Sequence, residues 1–359
     1  QCGRSGIKNV IVITAGFAEA GHSGAALERK MLEIARSYNV RVLGPNCLGV
    51  IRPTLGLNAT FAKVTANAGN LALVSQSGAM CSAVLDWAKA NGVGFSTVIS
   101  LGGTADVDFG EILDYLIYDS RTHYILLYVE GIRNARRFMS ALRSAARIKP
   151  IILLKAGRHA AGSLAVQTHS GMIAGSDSVF DAAIRRAGVV RVKNVGQLFY
   201  ASKALASKFR PQGKRLAIIT NGGGPGAMAA DRAGDLDIPL AQLNMDTVQK
   251  LNACLPPTWS HANPIDIVGD ATPERYRDAI LAVASDPDVD GILVMLTPQA
   301  MTQPMEVAKA VVEAHEQTGT ALLTCWMGEE QVAAARKMLE DAGIPAFRMP
   351  ETAVELYYH

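Results

Sequence analysis

The run Leu71-Ala-Leu-Val-Ser-Gln-Ser-Gly78 decides the fold. Leu71–Val74 is a short apolar stretch bounded by small polar residues, which reads as a buried strand, and Ala79–Ala90 follows as a helix. A helix entered this way leaves backbone N–H groups unpaired at its start. Its partial positive charge points at whatever lies in front. The same pattern returns in Leu216-Ala-Ile-Ile-Thr-Asn-Gly-Gly-Gly-Pro-Gly226. Two junctions of this kind predict parallel sheets whose strand ends receive anions.

Working outward, strand, turn and helix alternate. Asn9–Thr14 is a strand, and Ala25–Tyr38 a helix with Leu27, Met31, Leu32, Ile34 and Ala35 on one face. Val40–Leu43 is a second strand, and Ile51–Asn70, with Pro53, Gly56 and Gly69, reads as an irregular connector. The next block predicts strands at 71–74, 96–101, 124–129, 151–154 and 189–192, with helices at 79–90, 111–118 and 176–187 between them. Phe209-Arg-Pro-Gln-Gly213 is a polar linker, after which strands at 216–220, 291–296 and 321–325 and helices at 307–317 and 329–342 restart the pattern. The expected organisation is a partial Rossmann-like domain over 1–66, a flavodoxin-like domain over 67–209 and a second flavodoxin-like domain over 213–359. The fold class is α/β with doubly wound parallel sheets.

Composition narrows the function. The chain has 359 residues, 49% hydrophobic and 19% charged, with a net charge of +3 and no basic run, which argues against nucleic acid as a partner. The longest apolar runs are too short to cross a bilayer. The five cysteines form no CxxC pair, which fits a reduced, cytoplasmic setting rather than a zinc site or a disulfide framework. His22, His123, His159, His261, His315 and His359 show no metal-ligand spacing with one another, so no metal site is expected within the chain. Asp106 and Asp108 read as acids at a helix start rather than a metal pair. The absence of an initial methionine at Gln1 and a helix beginning near Glu351 read as signs of a longer parent protein.

One histidine stands out. His169 lies in Gln167-Thr-His-Ser-Gly-Met-Ile-Ala-Gly175, a stretch of small residues expected to form a mobile loop. A neutral imidazole is nucleophilic near pH 7 and a good carrier of a phosphoryl group. The backbone at Ser170 and Gly171 can approach phosphate oxygens. Glu130 ends the strand 124–129, where a carboxylate can fix the imidazole tautomer. Ser77, Gly78, Asn221, Gly222, Gly223 and Gly224 are candidate phosphate contacts. Taken singly, each has a plainer reading: a surface histidine, a solvated strand-end acid, an ordinary helix cap. Phe61, Trp87 and Trp326 read either as pocket walls or as core.

Taken together, the motifs resemble the nucleoside-diphosphate-forming acyl-CoA synthetase superfamily, which includes ADP-forming acetate–CoA ligase and succinyl-CoA synthetase. Gly44-Pro-Asn-Cys-Leu-Gly49 resembles the end of its CoA-binding domain, and Val74-Ser-Gln-Ser-Gly78 its first phosphate-binding helix start. Ser100-Leu-Gly-Gly-Thr-Ala-Asp106 resembles the loop that follows. Tyr128-Val-Glu-Gly131 carries the histidine-orienting glutamate onto Glu130, and Thr168–Gly175 the phosphorylated histidine onto His169. Thr220–Gly224 and Asn263-Pro-Ile-Asp-Ile267 resemble the second helix start and its following loop.

The resemblance implies a ligase that interconverts acyl-CoA, ADP and phosphate with carboxylate, CoA and ATP through an acyl phosphate and a phosphohistidine. It implies contacts to CoA or the acyl group at Asn46, Cys47, Gly102 and Gly103. It places the ADP/ATP and magnesium site on an ATP-grasp domain or subunit outside this chain, and implies an oligomer. A second implied reading is an acyl-CoA- or CoA-sensing region ahead of the acetyltransferase domain of a protein lysine acetyltransferase. A third is a binding protein with no chemistry, in which His169→Ala has no effect.

Overall fold

A computed structural model describes residues 1–170, 176–207 and 209–358; the side chains at 168–170 fall outside the described set. The chain divides into two compact units, Gln1–Ser202 and Lys203–His359.

The first unit opens with β1 (Asn9–Ile11), α1 (His22–Ser37) and β2 (Arg41–Leu43), a crossover in which the two strands pair in parallel. The chain then forms β3 (Gly49–Arg52), β4 (Leu57–Thr60), β5 (Ala68–Ser75), α2 (Gly78–Ala90), β6 (Phe95–Ser100), α3 (Phe109–Tyr118) and β7 (Tyr124–Val129). It continues with α4 (Ala135–Ala146), β8 (Ile151–Lys155), α5 (Ala160–Ser170), α6 (Asp177–Arg186), β9 (Val190–Val192) and α7 (Val195–Ala206), the last running across the unit boundary. The sheet order is β4-β3-β6-β5-β7-β8-β9, parallel from β6 to β9. Ala72, Val74, Ile125, Leu127, Ile151 and Leu153 pack on Leu113, Leu116, Phe138 and Leu142 of α3 and α4. The alternate residues Leu71, Leu73, Leu126 and Ile152 are also buried, so both sheet faces are covered, as fully apolar strands require.

The second unit contains β10 (Leu216–Thr220), α8 (Gly223–Asp235), α9 (Met245–Cys254), β11 (Ile265–Asp266), α10 (Pro273–Ala284) and β12 (Gly291–Leu296). It closes with α11 (Pro304–Thr318), β13 (Leu322–Trp326), α12 (Ala333–Asp341), β14 (Ala346–Phe347) and α13 (Pro350–Tyr358). Its sheet order is β11-β10-β12-β13-β14, all parallel. Counted along the chain, β6-β5-β7-β8-β9 and β11-β10-β12-β13-β14 are both the flavodoxin-like order 2-1-3-4-5. The expected α/β class with flavodoxin-like parallel sheets holds for both units. No helix among the described residues is long and apolar enough to cross a membrane.

Three local expectations are corrected. Ile51–Asn70 is no irregular connector. It supplies the antiparallel hairpin β3–β4 at the sheet edge and the first residues of β5. Pro53 and Gly56, read as loop signals, form its turn, with Gly56 left-handed at φ 64°. On α1, Leu27 and Ile34 are more than half exposed, and Gly24 and Glu28 face inward instead. Gly24 lies so close to the Phe17 carbonyl that a Cβ would collide with it, and Glu28 pairs with Arg133 at 2.9 Å. The backbone up to Ser170 belongs to α5, because Ala160, Ala161, Leu164, Ala165 and Gln167 are good helix formers despite Gly162 and Ser163.

Asp108 takes the expected helix-start role, whereas Asp106 ties the loop before α3 to β2. Asp108 caps α3 by accepting from the Glu111 N–H at 3.1 Å, and Asp106 accepts from the Val42 N–H and from Arg41, both at 2.9 Å. Asp108→Ala is expected to lower stability by about 1 kcal/mol in urea denaturation, and Asp108→Asn by much less, since asparagine also caps.

Candidate active site

In a 2-1-3-4-5 sheet the chain reverses its winding direction between the first and third strands, and a crevice opens beyond their carboxyl ends. In the first unit these strands are β5 and β7. Beyond β5 the Ser75 hydroxyl closes a turn, accepting from the Ser77 N–H at 3.0 Å and donating to the Ser77 carbonyl at 2.8 Å. Ser77 caps α2 by accepting from the Met80 N–H at 3.3 Å. The N–H groups of Gly78 and Ala79 find no acceptor among the described residues, and Ala79 is exposed. These are the free donors that an anion at a helix start takes up.

Beyond β7 lies Glu130, 7% exposed. Burial, and secondarily the Glu130 charge, push the Tyr128 phenol up to about 12. The two strand ends are tied by Gln76, which the sequence reading passed over as a member of the turn. Its Oε1 accepts from the N–H groups of Glu130 at 2.5 Å and Gly131 at 3.0 Å, and its Nε2 donates to the Gly131 carbonyl at 2.8 Å.

The second unit repeats the arrangement. The Thr220 hydroxyl accepts from the Gly222 N–H at 3.1 Å and donates to the Gly222 carbonyl at 2.9 Å. Asn221 ties β10 to the end of β12, accepting from the Thr297 N–H at 2.8 Å and donating to the Thr297 carbonyl at 2.9 Å. Gly223 and Gly224, both exposed, offer N–H groups without acceptors among the described residues, and Pro225 has none to offer. A Cβ on Gly223 would stand 3.0 Å from Asp266 Oδ2, so glycine leaves room between the helix start and that carboxylate. Asp266 and Thr297 were not singled out from the sequence. Their signal was position at a strand end, which needs the register to be seen.

The expected CoA-side residues lie on two stacked loops of the first unit. Gly103 N–H donates to the Pro45 carbonyl at 2.8 Å and Ala105 N–H to the Gly44 carbonyl at 3.1 Å. Gly102 has φ 56°, and a Cβ there would stand 2.3 Å from the Pro45 carbonyl oxygen, so this approach requires glycine. Asn46, at φ 54°, donates its N–H to Thr14. Cys47 is buried and lies 3.4 Å from the Val12 carbonyl oxygen. Burial pushes its thiol up to about 11, which makes it an inert wall rather than a nucleophile.

Leu48, which a Cβ on Gly78 would meet at 3.4 Å, lines a cleft of about 380 Å³ with Phe61, Val64, Ser82 and Asp86. Phe61 is 65% exposed there. Trp87 instead stacks on Phe199 at 4.6 Å, and Trp326 is core. His169 and Ser170 fall on the last turn of α5 with their side chains outside the described residues, and Gly171 lies outside them altogether.

Comparison with known proteins follows this geometry. Residues 68–205 match the succinyl-CoA ligase-like flavodoxin domain, and residues 216–355 the ligase-CoA domain. The chain is 43% identical to the ADP-forming acetate–CoA ligase I of Archaeoglobus fulgidus, over 99% of this chain and 50% of that protein. It is 38% identical to the alpha subunit of ADP-forming acetate–CoA ligase I of Pyrococcus furiosus, over 99% of this chain and 77% of the subunit. The chain thus spans about half the length of the first relative. A solved structure of the dinucleotide-forming acetyl-coenzyme A synthetase 1 of Ca. Korarchaeum cryptofilum, in complex with phosphate and ADP, superposes with a TM-score of 0.93. That match has 36% identity and covers 99% of this chain and 77% of that one.

The Cys47 thiol gives a pH prediction. Its proton is held more tightly in the folded state than in the unfolded chain, where the value is near 9.0. Its contribution to stability is therefore complete below pH 9 and fades as pH rises from about 9 to about 11. Chemical denaturation between pH 8 and 11 should show a shallower alkaline decline for Cys47→Ala than for wild type. Iodoacetamide at pH 8 should label the exposed Cys2 well before Cys47; equal labelling would contradict the assignment.

Proposed function

The chain belongs to the nucleoside-diphosphate-forming acyl-CoA synthetase superfamily, and we propose that it is the phosphohistidine-bearing part of an ADP-forming acid–thiol ligase acting on acetate or another small acid. The observation that carries this reading is the switch point of the first unit. There a helix start with two free N–H donors is tied, through the Gln76 amide, to the main chain of the buried residue Glu130. A cationic helix start suits a phosphoryl group, and a carboxylate suits the imidazole that receives it.

The proposed reaction begins with attack of a phosphate oxygen on the thioester carbonyl of acyl-CoA. The C–S bond breaks, and CoA leaves as a thiolate that takes up a proton. A ring nitrogen of His169 then attacks phosphorus and the carboxylate leaves. An oxygen of the ADP β-phosphate finally attacks the phosphohistidine, giving ATP and restoring the imidazole. Glu130 accepts from the other ring nitrogen and holds the tautomer.

The N–H groups of Gly78 and Ala79 and the hydroxyl of Ser77 bind the transferring group, and Ser170 and Gly171 travel with the histidine. Asn221 shapes the second helix start, and Gly222, Gly223 and Gly224 form it. Asn46, Cys47, Gly102 and Gly103 line the CoA or acyl side. In the proposed assembly, residues 1–66 end a CoA-binding domain, 67–209 carry the phosphohistidine and 213–359 form the second ligase domain. An ATP-grasp domain or subunit holds ADP or ATP with magnesium, in an oligomer in the cytoplasm.

The test gives the full-length protein with its partner acyl-CoA and radiolabelled inorganic phosphate. Wild type should take up acid-labile label. His169→Ala should take up none, and Glu130→Gln should label about 100-fold more slowly. No label on folded wild type that binds acyl-CoA would overturn the ligase reading in favour of a sensing region.

A further inference from the structure

The reaction just described gives no task to Gln76, although its side chain, only 5% exposed, spans the switch point. We propose that Gln76 is a positioning residue: it locks the carboxyl end of β7, and with it Glu130, to the turn that opens α2. The inference rests on the phosphohistidine reading and deepens it.

The geometry demands an amide. One head group accepts from the N–H of Glu130 and of Gly131 through Oε1 and donates to the carbonyl of Gly131 through Nε2. Glutamate keeps the acceptor but turns an oxygen toward that carbonyl, asparagine is one methylene shorter, and methionine matches the length but offers neither group. These three partner groups on Glu130 and Gly131 belong to the main chain, so through them Gln76 acts on where the Glu130 side chain starts. The Gln76 N–H also donates to the Tyr128 carbonyl at 3.1 Å, so main chain and side chain together bind this residue to Tyr128, Glu130 and Gly131. Next to it along the chain are Ser77 and Gly78, the cap and first residue of α2. A shift of Gln76 therefore changes the distance between the phosphate-binding N–H groups and the carboxylate.

The second unit shows that the clamp is a device of the fold. Ser75 stands opposite Tyr128, and Thr220 opposite Met295. Glu130 lies two residues past Tyr128 and Thr297 two past Met295, so the Asn221–Thr297 clamp sits at the matching place. What the first unit adds is a carboxylate on the clamped residue. A misplacement of about 1 Å at a reacting group can cost about 100-fold in rate, which sets the scale of the effect.

The experiment compares wild type, Gln76→Met, Glu130→Gln and the double variant in the full-length protein with its partner. It measures the rate of phosphohistidine formation and, by mass spectrometry, hydrogen exchange of the peptide containing Glu130 and Gly131. Gln76→Met should speed exchange in that peptide and slow labelling about 100-fold, with KM for acyl-CoA and phosphate changed less than about two-fold. Added to Glu130→Gln it should cost less than about two-fold more, because the clamp works through that carboxylate. A full additional loss in the double variant, a loss carried by KM, or unchanged exchange would overturn the proposal.

If Gln76→Met does not fold, Gln76→Glu replaces it. That variant keeps the acceptor for both N–H groups, so a smaller loss is expected, again absent beside Glu130→Gln; a loss that persists there overturns the proposal. Wild type that shows the protected peptide but takes no label overturns the phosphohistidine reading and the positioning role with it, leaving the clamp as a fold contact.

Discussion

In a parallel sheet every strand delivers its carboxyl end to the same edge, and each following helix must begin there with its first N–H groups unpaired. That constraint arranges everything else in this chain. Apolar stretches such as Leu71–Val74 and Ile125–Leu127 can be buried on both faces only if helices cover them. The crossovers that supply those helices bring their starts, and the polar residues after each strand, to one rim. The order 2-1-3-4-5 then parts the first and third strands' connections and leaves a crevice where that rim can hold a ligand.

The crevice also loosens the rim, because the two strand ends feed connections that lead away from one another. In both units the gap is bridged by a side-chain amide one residue past the first strand, Gln76 in one and Asn221 in the other. An amide suits the task because it satisfies an N–H and a C=O at once and adds no charge beside a site that handles anions. The hydroxyls of Ser75 and Thr220 close the adjoining turns in matching ways. The two units therefore share the scaffold and differ in what the clamp holds, Glu130 in one and Thr297 in the other.

The longer parallel strands, the α/β class and both helix starts were legible because apolar runs and small-residue turns are local signals; the two-residue strands β11 and β14 were too short to show. Glu130 was legible as the acid ending an apolar strand. The clamps were not, since Gln76 touches Glu130 only through a strand pairing that sequence spacing does not display. The hairpin Gly49–Thr60 was missed because its strands lie at a sheet edge, where half the residues are polar and the pattern fades into that of a loop. Leu27 and Ile34 show the reverse failure: the helical period was right, but these two stay exposed while Met31, Leu32 and Ala35 are only half-buried. Cys47 was legible only as part of the CoA-side motif; that its thiol is buried and its proton held tightly needed the structure.

The central claim is that the start of α2 and Glu130 together form one phosphoryl-handling site at the first switch point. A crystal structure of the full-length protein with inorganic phosphate tests it most directly. The account predicts phosphate oxygens within hydrogen-bond distance of the Gly78 and Ala79 N–H groups, with Gln76 still bridging to Glu130 and Gly131. Phosphate bound elsewhere, with those two N–H groups left to water, would contradict it.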